Sequence, residues 1–199
     1  MTFWGAVLIA YFLGCIPFGL IVARVNNVDL RSQGSGNIGA TNAMRVMGKK
    51  AGAITLVGDM LKGTAGVLIA VKLAGGEAGY YAAAAAVLGH DFPVFSGFKG
   101  GKGVATSFGV LLALCPYVAI TGFAVWLLSL SVWKMSSLSA LVSFAAIPAA
   151  AYLMRPDDKS LIIICVFLTV TIFAKHHSNI RRIIDGDESQ IGRKKGVTP

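Results

Sequence analysis

Three polar, glycine-containing stretches interrupt an otherwise apolar chain, and each offers groups that hold a phosphate. The first, residues 34–45, sets Ser35, Asn37, Gly39, Thr41 and Asn42 in a turn that also contains Gly34 and Gly36, with Arg45 about one helical turn further on. Short hydroxyls and amides donate to oxyanions, and a guanidinium matches phosphate bidentately. The second, residues 89–106, carries His90, Pro93, Phe92, Phe95, Phe98 and the turn Gly100-Gly101-Lys102-Gly103. Successive N–H groups in such a turn form an anion-binding nest, and a lysine beside them adds a full positive charge. The third runs Lys175-His176-His177-Ser178-Asn179-Ile180-Arg181-Arg182, then Gly186 and Glu188. His176 and Asn179, three apart, share one helical face. A basic patch after an apolar run is otherwise a stop signal or lipid anchor, so this stretch reads either way. The terminal Arg193-Lys194-Lys195 reads only as such a patch.

Several familiar chemistries are excluded. Gly34, Gly36 and Gly39 fit the dinucleotide fingerprint, but that pattern counts only after a strand in a βαβ unit, and an apolar helix precedes it here. Residues 96–103 resemble a Walker A loop, yet Ser96 stands where its first glycine belongs and Gly103 where Ser or Thr is needed. Histidine followed five residues later by aspartate, a common acyltransferase dyad, is missing: Phe95, Arg181 and Arg182 occupy those places. Carboxylate pairs and metal-ligand spacings are absent as well, and no cofactor is implied. A cationic site without an obvious nucleophile suits a substrate that is already activated and carries phosphate.

The elements that must position these loops are membrane helices. Of 199 residues 55% are hydrophobic and 14% charged, against about 25% charged in an ordinary soluble domain. Apolar runs near the roughly 20 residues that span a bilayer recur along the chain. The fold class expected is all-α, a polytopic membrane protein with seven transmembrane helices, some short, forming one domain over residues 1–199. The spans read Phe3–Ala23 with a kink at Pro17, Ala51–Leu73, a short helix Gly79–Gly89, two helices within Val104–Trp133 broken at Cys115-Pro116, Leu138–Met154 and Ser160–Ala174. Arg24–Lys50, Lys134–Ser137 and Lys175–Pro199 read as polar connections or tail. The first run lacks the basic flank of a cleavable signal and reads as a retained helix.

Seven spans put all three polar stretches on one side, with 14 of the 18 Lys and Arg. That side is expected to be cytoplasmic, leaving the N-terminus outside. The same rule and attraction to anionic lipid account for the net charge of +9 better than nucleic acid does. Cys15, Cys115 and Cys165 sit singly in apolar runs and read as buried small hydrophobes. Asp59 and Lys62, three apart inside a span, read equally as a pair locking helices together or as support behind a site. A phosphate or lipid-phosphate transporter using that pair as a gate is the rival class, although no repeat or inverted symmetry supports it.

In these three stretches the sequence resembles the bacterial acyl-phosphate:glycerol-3-phosphate acyltransferase (PlsY) family, over essentially the whole chain. Gly34–Arg45, Gly89–Thr106 and His176–Glu188 match its motifs in order, with Ile183 where leucine is common and His177 where many members have arginine. The resemblance implies transfer of a fatty acyl group from acyl phosphate to the 1-hydroxyl of glycerol 3-phosphate, giving lysophosphatidic acid for phospholipid synthesis at a bacterial inner membrane. Membrane lipid and the soluble enzyme that makes acyl phosphate are the implied partners. Ser35, Arg45, Lys102, His176 and Asn179 become the catalytic candidates. Asn37, Gly39, Thr41, Asn42, Gly100, Gly101, Gly103, Ser137 and Ser139 become the substrate-binding ones, and Glu188 joins Asp59 and Lys62 as support. The general base is either His176 or a substrate phosphate, whose second pKa is about 6.

Overall fold

Proline and glycine positions divide the apolar runs into helices. In the computed structural model, which describes residues 2–192, α1 (Phe3–Gly14) and α2 (Phe18–Val25) separate at Pro17, where the ring removes an amide and crowds the turn before it. α3 (Ala40–Met47) and α4 (Lys49–Ala74) follow, then α5 (Gly76–Asp91), a single 3₁₀ turn at Val94–Ser96, and α6 (Val104–Leu114). The break at Cys115-Pro116 stands as expected. Pro116 opens α7 (Pro116–Trp133), where a missing N–H costs nothing. α8 (Ser136–Met154), α9 (Lys159–Lys175) and α10 (His177–Ile184) complete the helices, and no strand occurs among the described residues. The Arg193-Lys194-Lys195 patch lies outside them.

The structure differs from expectation where polar residues find partners. The helix expected over Gly79–Gly89 runs from Gly76 to Asp91. Only Gly75, with φ of 89°, breaks the chain before it, and His90 extends the far end because its ring is buried against Lys62. The connection 24–50 and the tail after residue 175 each contain a helix, α3 and α10. Likewise α8 starts at Ser136 instead of Leu138, since the hydroxyls of its first turn are tied to other elements.

Four segments are long and apolar enough to cross a bilayer: Phe3–Val25, Lys49–Ala74, Pro116–Trp133 and Ser136–Met154. A fifth forms if α9 and α10, bent 62° at their junction, are taken together. α6 is shorter, 11 residues or about 16 Å at 1.5 Å per residue.

α4 packs against α1, α3, α5 and α6, while α8 joins α7 to α9. Small residues allow the close approach, as is usual between membrane helices. A Cβ on Gly14 or Gly89 would strike the backbone of the facing α5 or α1, and one on Gly63 or Gly109 would strike that of α6 or α4. Thr64 Oγ1 also donates to the Gly109 carbonyl at 2.8 Å. The main core runs from Ala6 and Ala10 through Val67, Ala82, Phe108, Phe144 and Leu168. A second, smaller core of Ala23, Leu30, Ile38 and Ala43 holds the first polar loop down on α2 and α3.

Candidate active site

Four chain segments meet at one end of the bundle. The first loop turns through Gly34 and Gly36, both with positive φ, around the buried side chain of Asn42. Asn42 Oδ1 accepts from the Ser35 amide at 2.9 Å, and Nδ2 lies 2.9–3.3 Å from the carbonyls of Asn37, Gln33 and Leu30. Asn42 is therefore spent inside the loop, holding its shape instead of facing a ligand. Asn37 Oδ1 accepts from the Gly39 amide at 3.3 Å. Ser35 and Arg45 are exposed above this scaffold.

The second loop is laid against the first by Arg31, whose Nη2 donates to the Lys99 carbonyl at 2.8 Å. Gly103, with φ of 74°, reverses the chain into α6, a conformation that a side chain would strain. That reversal turns Lys102 inward, and its Nζ donates to Asn179 Oδ1. Gly101 and Gly103 are buried and Gly100 half-buried.

The third stretch is α10 and the chain beyond it. His176 sits at the bend between α9 and α10, with Nδ1 2.8 Å from the Ile172 carbonyl. Nδ1 thus carries the proton and Nε2 keeps its lone pair. His176 and Asn179 are both buried, as their shared face requires, whereas His177 is exposed and lies outside the cluster. Asn179 Nδ2 donates to Glu188 Oε1 at 2.7 Å, Ser137 Oγ donates to the same oxygen at 2.7 Å, and Arg182 Nε reaches Oε2 at 2.7 Å. Arg45 Nη2 donates to Ser189 Oγ at 3.0 Å, and the Ile191 amide donates to the Lys134 carbonyl at 2.7 Å. Thr41 and Ser136 hydroxyls are 2.9 Å apart. All three polar stretches and the start of α8 thereby share one network.

The electrostatics follow from that geometry. Removal from water pulls the Lys102 ammonium down to about 8; Arg182 and Lys175 add to the shift, and Glu188 opposes it. His176 is lowered to about 4, first by burial and then by the Lys102 charge, so it is neutral at pH 7. Burial alone would raise Glu188. The hydrogen bonds from Ser137, Asn179 and Arg182 outweigh it and hold the carboxyl below its usual range.

The structure brings together Arg45, Lys102, His176, Asn179, Ser137, Thr41 and Glu188. It does not bring in Ser139, whose hydroxyl is buried and bonded to the Met135 carbonyl one turn back. Asp59 and Lys62 form a buried pair at 2.7 Å within α4. The pairing of Glu188 with a nearby arginine is the one expected of it, Arg182 being the partner, whereas sequence reasoning missed Ser136 and Ser189. Single hydroxyls such as Ser136 and Ser189 carry no signal in the sequence.

A cationic, hydrogen-bonded site set where short helices meet the ends of a membrane bundle defines the class: an integral membrane protein that handles anionic substrates at its interface. Comparison with known proteins makes the class specific. Residues 4–186 match the family model described as glycerol-3-phosphate acyltransferase. A glycerol-3-phosphate acyltransferase of Agrobacterium fabrum is 48% identical over 190 residues, 95% of this chain and 92% of that one. One from Syntrophotalea carbinolica is 44% identical over 192 residues, covering 95% of this chain and 97% of the other. The solved structure of PlsY (YgiH), an integral membrane glycerol 3-phosphate acyltransferase in its glycerol 3-phosphate form, matches with a TM-score of 0.91 at 38% identity over 96% of both chains. Its lysophosphatidic acid form matches with a TM-score of 0.89 at 38% identity, over 96% of this chain and 95% of that one. This chain belongs to the glycerol-3-phosphate acyltransferase family, the one its motifs resemble.

Proposed function

We propose that this acyltransferase takes its acyl group from acyl phosphate and delivers it to the 1-hydroxyl of glycerol 3-phosphate. The observation that carries the reading is the cluster of Lys102, His176 and Asn179 beside Arg45 and the glycine turn. It is rich in cations and donors, and none of its groups is a paired nucleophile and base. Acyl phosphate has a good leaving group and needs no covalent acyl-enzyme. The hydroxyl oxygen bonds to the acyl carbon, the acyl C–O bond to phosphorus-bound oxygen breaks, and inorganic phosphate departs. The protein's work is to hold two anions together and to stabilise the developing charge.

In this reading Arg45, Lys102, His176 and Asn179 orient glycerol 3-phosphate, with Ser35 at the reacting hydroxyl. Asn37, Thr41 and the Gly100–Gly103 turn cradle the acyl phosphate, and Asn42, Glu188 and Ser137 keep the loops in place. The hydroxyl proton passes to a phosphate oxygen. With His176 at about 4, a phosphate monoester with a second pKa of about 6 is the stronger base. The seven-span topology, with α5 and α6 short and the site on the cytoplasmic face of a bacterial inner membrane, is part of the same proposal. It is supported by the gathering of Lys and Arg on the site's side. Lysophosphatidic acid would then enter phospholipid synthesis.

Purified protein in detergent is given labelled glycerol 3-phosphate with either palmitoyl phosphate or palmitoyl-CoA. Lysophosphatidic acid from acyl phosphate alone is the expected result, and product from the CoA donor alone would overturn the donor assignment. Intact mass after rapid quench with donor alone should show no added acyl group. One acyl increment on Ser35 would replace direct transfer by a two-step path.

A further inference from the structure

The buried charges in the membrane part of the protein end on the active-site loop. Asp59, Lys62 and His90 are 2%, 4% and 5% exposed, and unpaired charges in such a place are expensive. Lys62 Nζ lies 2.7 Å from Asp59 Oδ1 as an ion pair and makes hydrogen bonds at 2.8 Å to His90 Nδ1 and 2.7 Å to the Ile16 carbonyl, with His90 Nδ1 itself 3.5 Å from Asp59 Oδ1. The Ile16 carbonyl is freed by the break at Pro17. One ammonium thus ties α4 to the end of α1 and to the end of α5, and makes His90 Nδ1 an acceptor.

Helix locking explains the ion pair, and it leaves the other side of His90 unaccounted for. The His90 carbonyl accepts the Gly101 amide at 3.1 Å. Its ring lies so close to the Gly101 Cα that an added Cβ would overlap Nε2. Gly101 is the residue before Lys102. We propose that His90 is a positioning residue for Lys102: Asp59 and Lys62 fix its imidazole inside the bundle, and the imidazole and its carbonyl set the height of the Gly100–Gly103 turn and so the reach of the ammonium to Asn179. The role of Lys102 itself rests on the function proposed above.

A double-mutant cycle on kcat/KM for glycerol 3-phosphate tests this, using His90→Asn, Lys102→Ala and their combination. Asparagine keeps a short acceptor toward Lys62 while withdrawing the ring edge from Gly101. His90→Asn is expected to lower kcat/KM on the order of 100-fold, the scale of a misplacement of about 1 Å, mainly through a higher KM for glycerol 3-phosphate. In the Lys102→Ala background the same change should cost less than about threefold, because the group it positions is gone. Losses that multiply, or an unchanged KM, would overturn the proposal. Should His90→Asn fail to fold, Gly101→Ala presses on the same contact from the loop side and leaves the buried pair intact. It must show the same loss and the same dependence on Lys102, and independence from Lys102 would overturn the proposal. Wild-type protein is assayed beside the variants with acyl phosphate. Its failure to form product would refute the donor assignment, whereas an active wild type with an additive cycle refutes the role of His90 alone.

Discussion

Lys102 and His176 both have their ionisation pushed downward, chiefly by burial, yet at about 8 and about 4 one is still charged and the other neutral near pH 7. Lys102 at about 8 loses its charge in mild alkali, whereas His176 at about 4 has none to lose above acid pH. If the ammonium must be charged to hold phosphate, kcat/KM falls as pH rises through about 8. Between pH 5 and 7 the His176 imidazole contributes no slope of its own, whereas a substrate phosphate, with its second pKa of about 6, does. A guanidinium stays protonated throughout, so Lys102→Arg should flatten the alkaline limb even where it lowers the plateau. A pH–rate profile of both proteins from 5 to 10 checks this, and a limb that survives in Lys102→Arg assigns it elsewhere. The types of these residues were legible in the sequence, as was their gathering in one place, which the structure shows at one end of the bundle. Their states were not. A histidine in a basic stretch looks like an ordinary histidine until burial and the neighbouring ammonium are known. Asn42 likewise looked like a ligand-facing amide, and only the fold shows it turned inward to close its own loop.

At the scale of elements, the tail after α9 is where sequence and structure part most. A basic run after a last apolar span carries no strong helix signal, yet α10 forms and the chain beyond it docks on the start of α8. Glu188 holds that docking through Ser137, Asn179 and Arg182. Glu188→Ala leaves three donors without their acceptor and should weaken the docking by about 2–3 kcal/mol. Hydrogen exchange at the Ile191 amide, bonded to Lys134 in the folded chain, is the direct reading and should accelerate while α4 and α5 stay protected. The acid limit has a definite sign. A carboxyl held below its unfolded value contributes fully above about pH 4.3 and loses its contribution as pH falls through the lower, folded value. The break at Pro116 and the kink at Pro17 were readable because proline acts through local covalent geometry. The ends of α5 and α8 were not, because buried partners decide them: Lys62 for His90, and Glu188 and Thr41 for Ser137 and Ser136.

For the whole molecule the proposed topology makes a sharp statement about sides. Single cysteines placed at Ser32 and at Gly186, in a background with Cys15, Cys115 and Cys165 replaced, should both react with an impermeant maleimide from the cytoplasmic face of oriented vesicles. One placed at Gly76, at the opposite end of α4, should react only from the other face. Labelling of Ser32 and Gly186 positions from different faces would remove the single-sided site and reopen the transporter reading.

The shortness of α6 has a kinetic consequence. Only about 16 Å of helix lies between Lys102 and the break at Pro116, and Phe95 and Phe98 are exposed beside the loop. On the proposed topology so short a helix draws the proposed catalytic groups in toward the level of the lipid headgroups. The proposed fatty-chain donor would arrive there by lateral diffusion without leaving the bilayer, while glycerol 3-phosphate would arrive from water. The two substrates then obey different concentration scales, mole fraction in the membrane for one and molarity for the other. Adding inert phospholipid at constant amounts of enzyme and donor should slow the reaction in proportion to the dilution of the surface. Enlarging the aqueous volume at constant glycerol 3-phosphate molarity should leave the rate per enzyme unchanged. The protein would thus respond to how crowded its membrane is with donor, independently of how much membrane the cell contains.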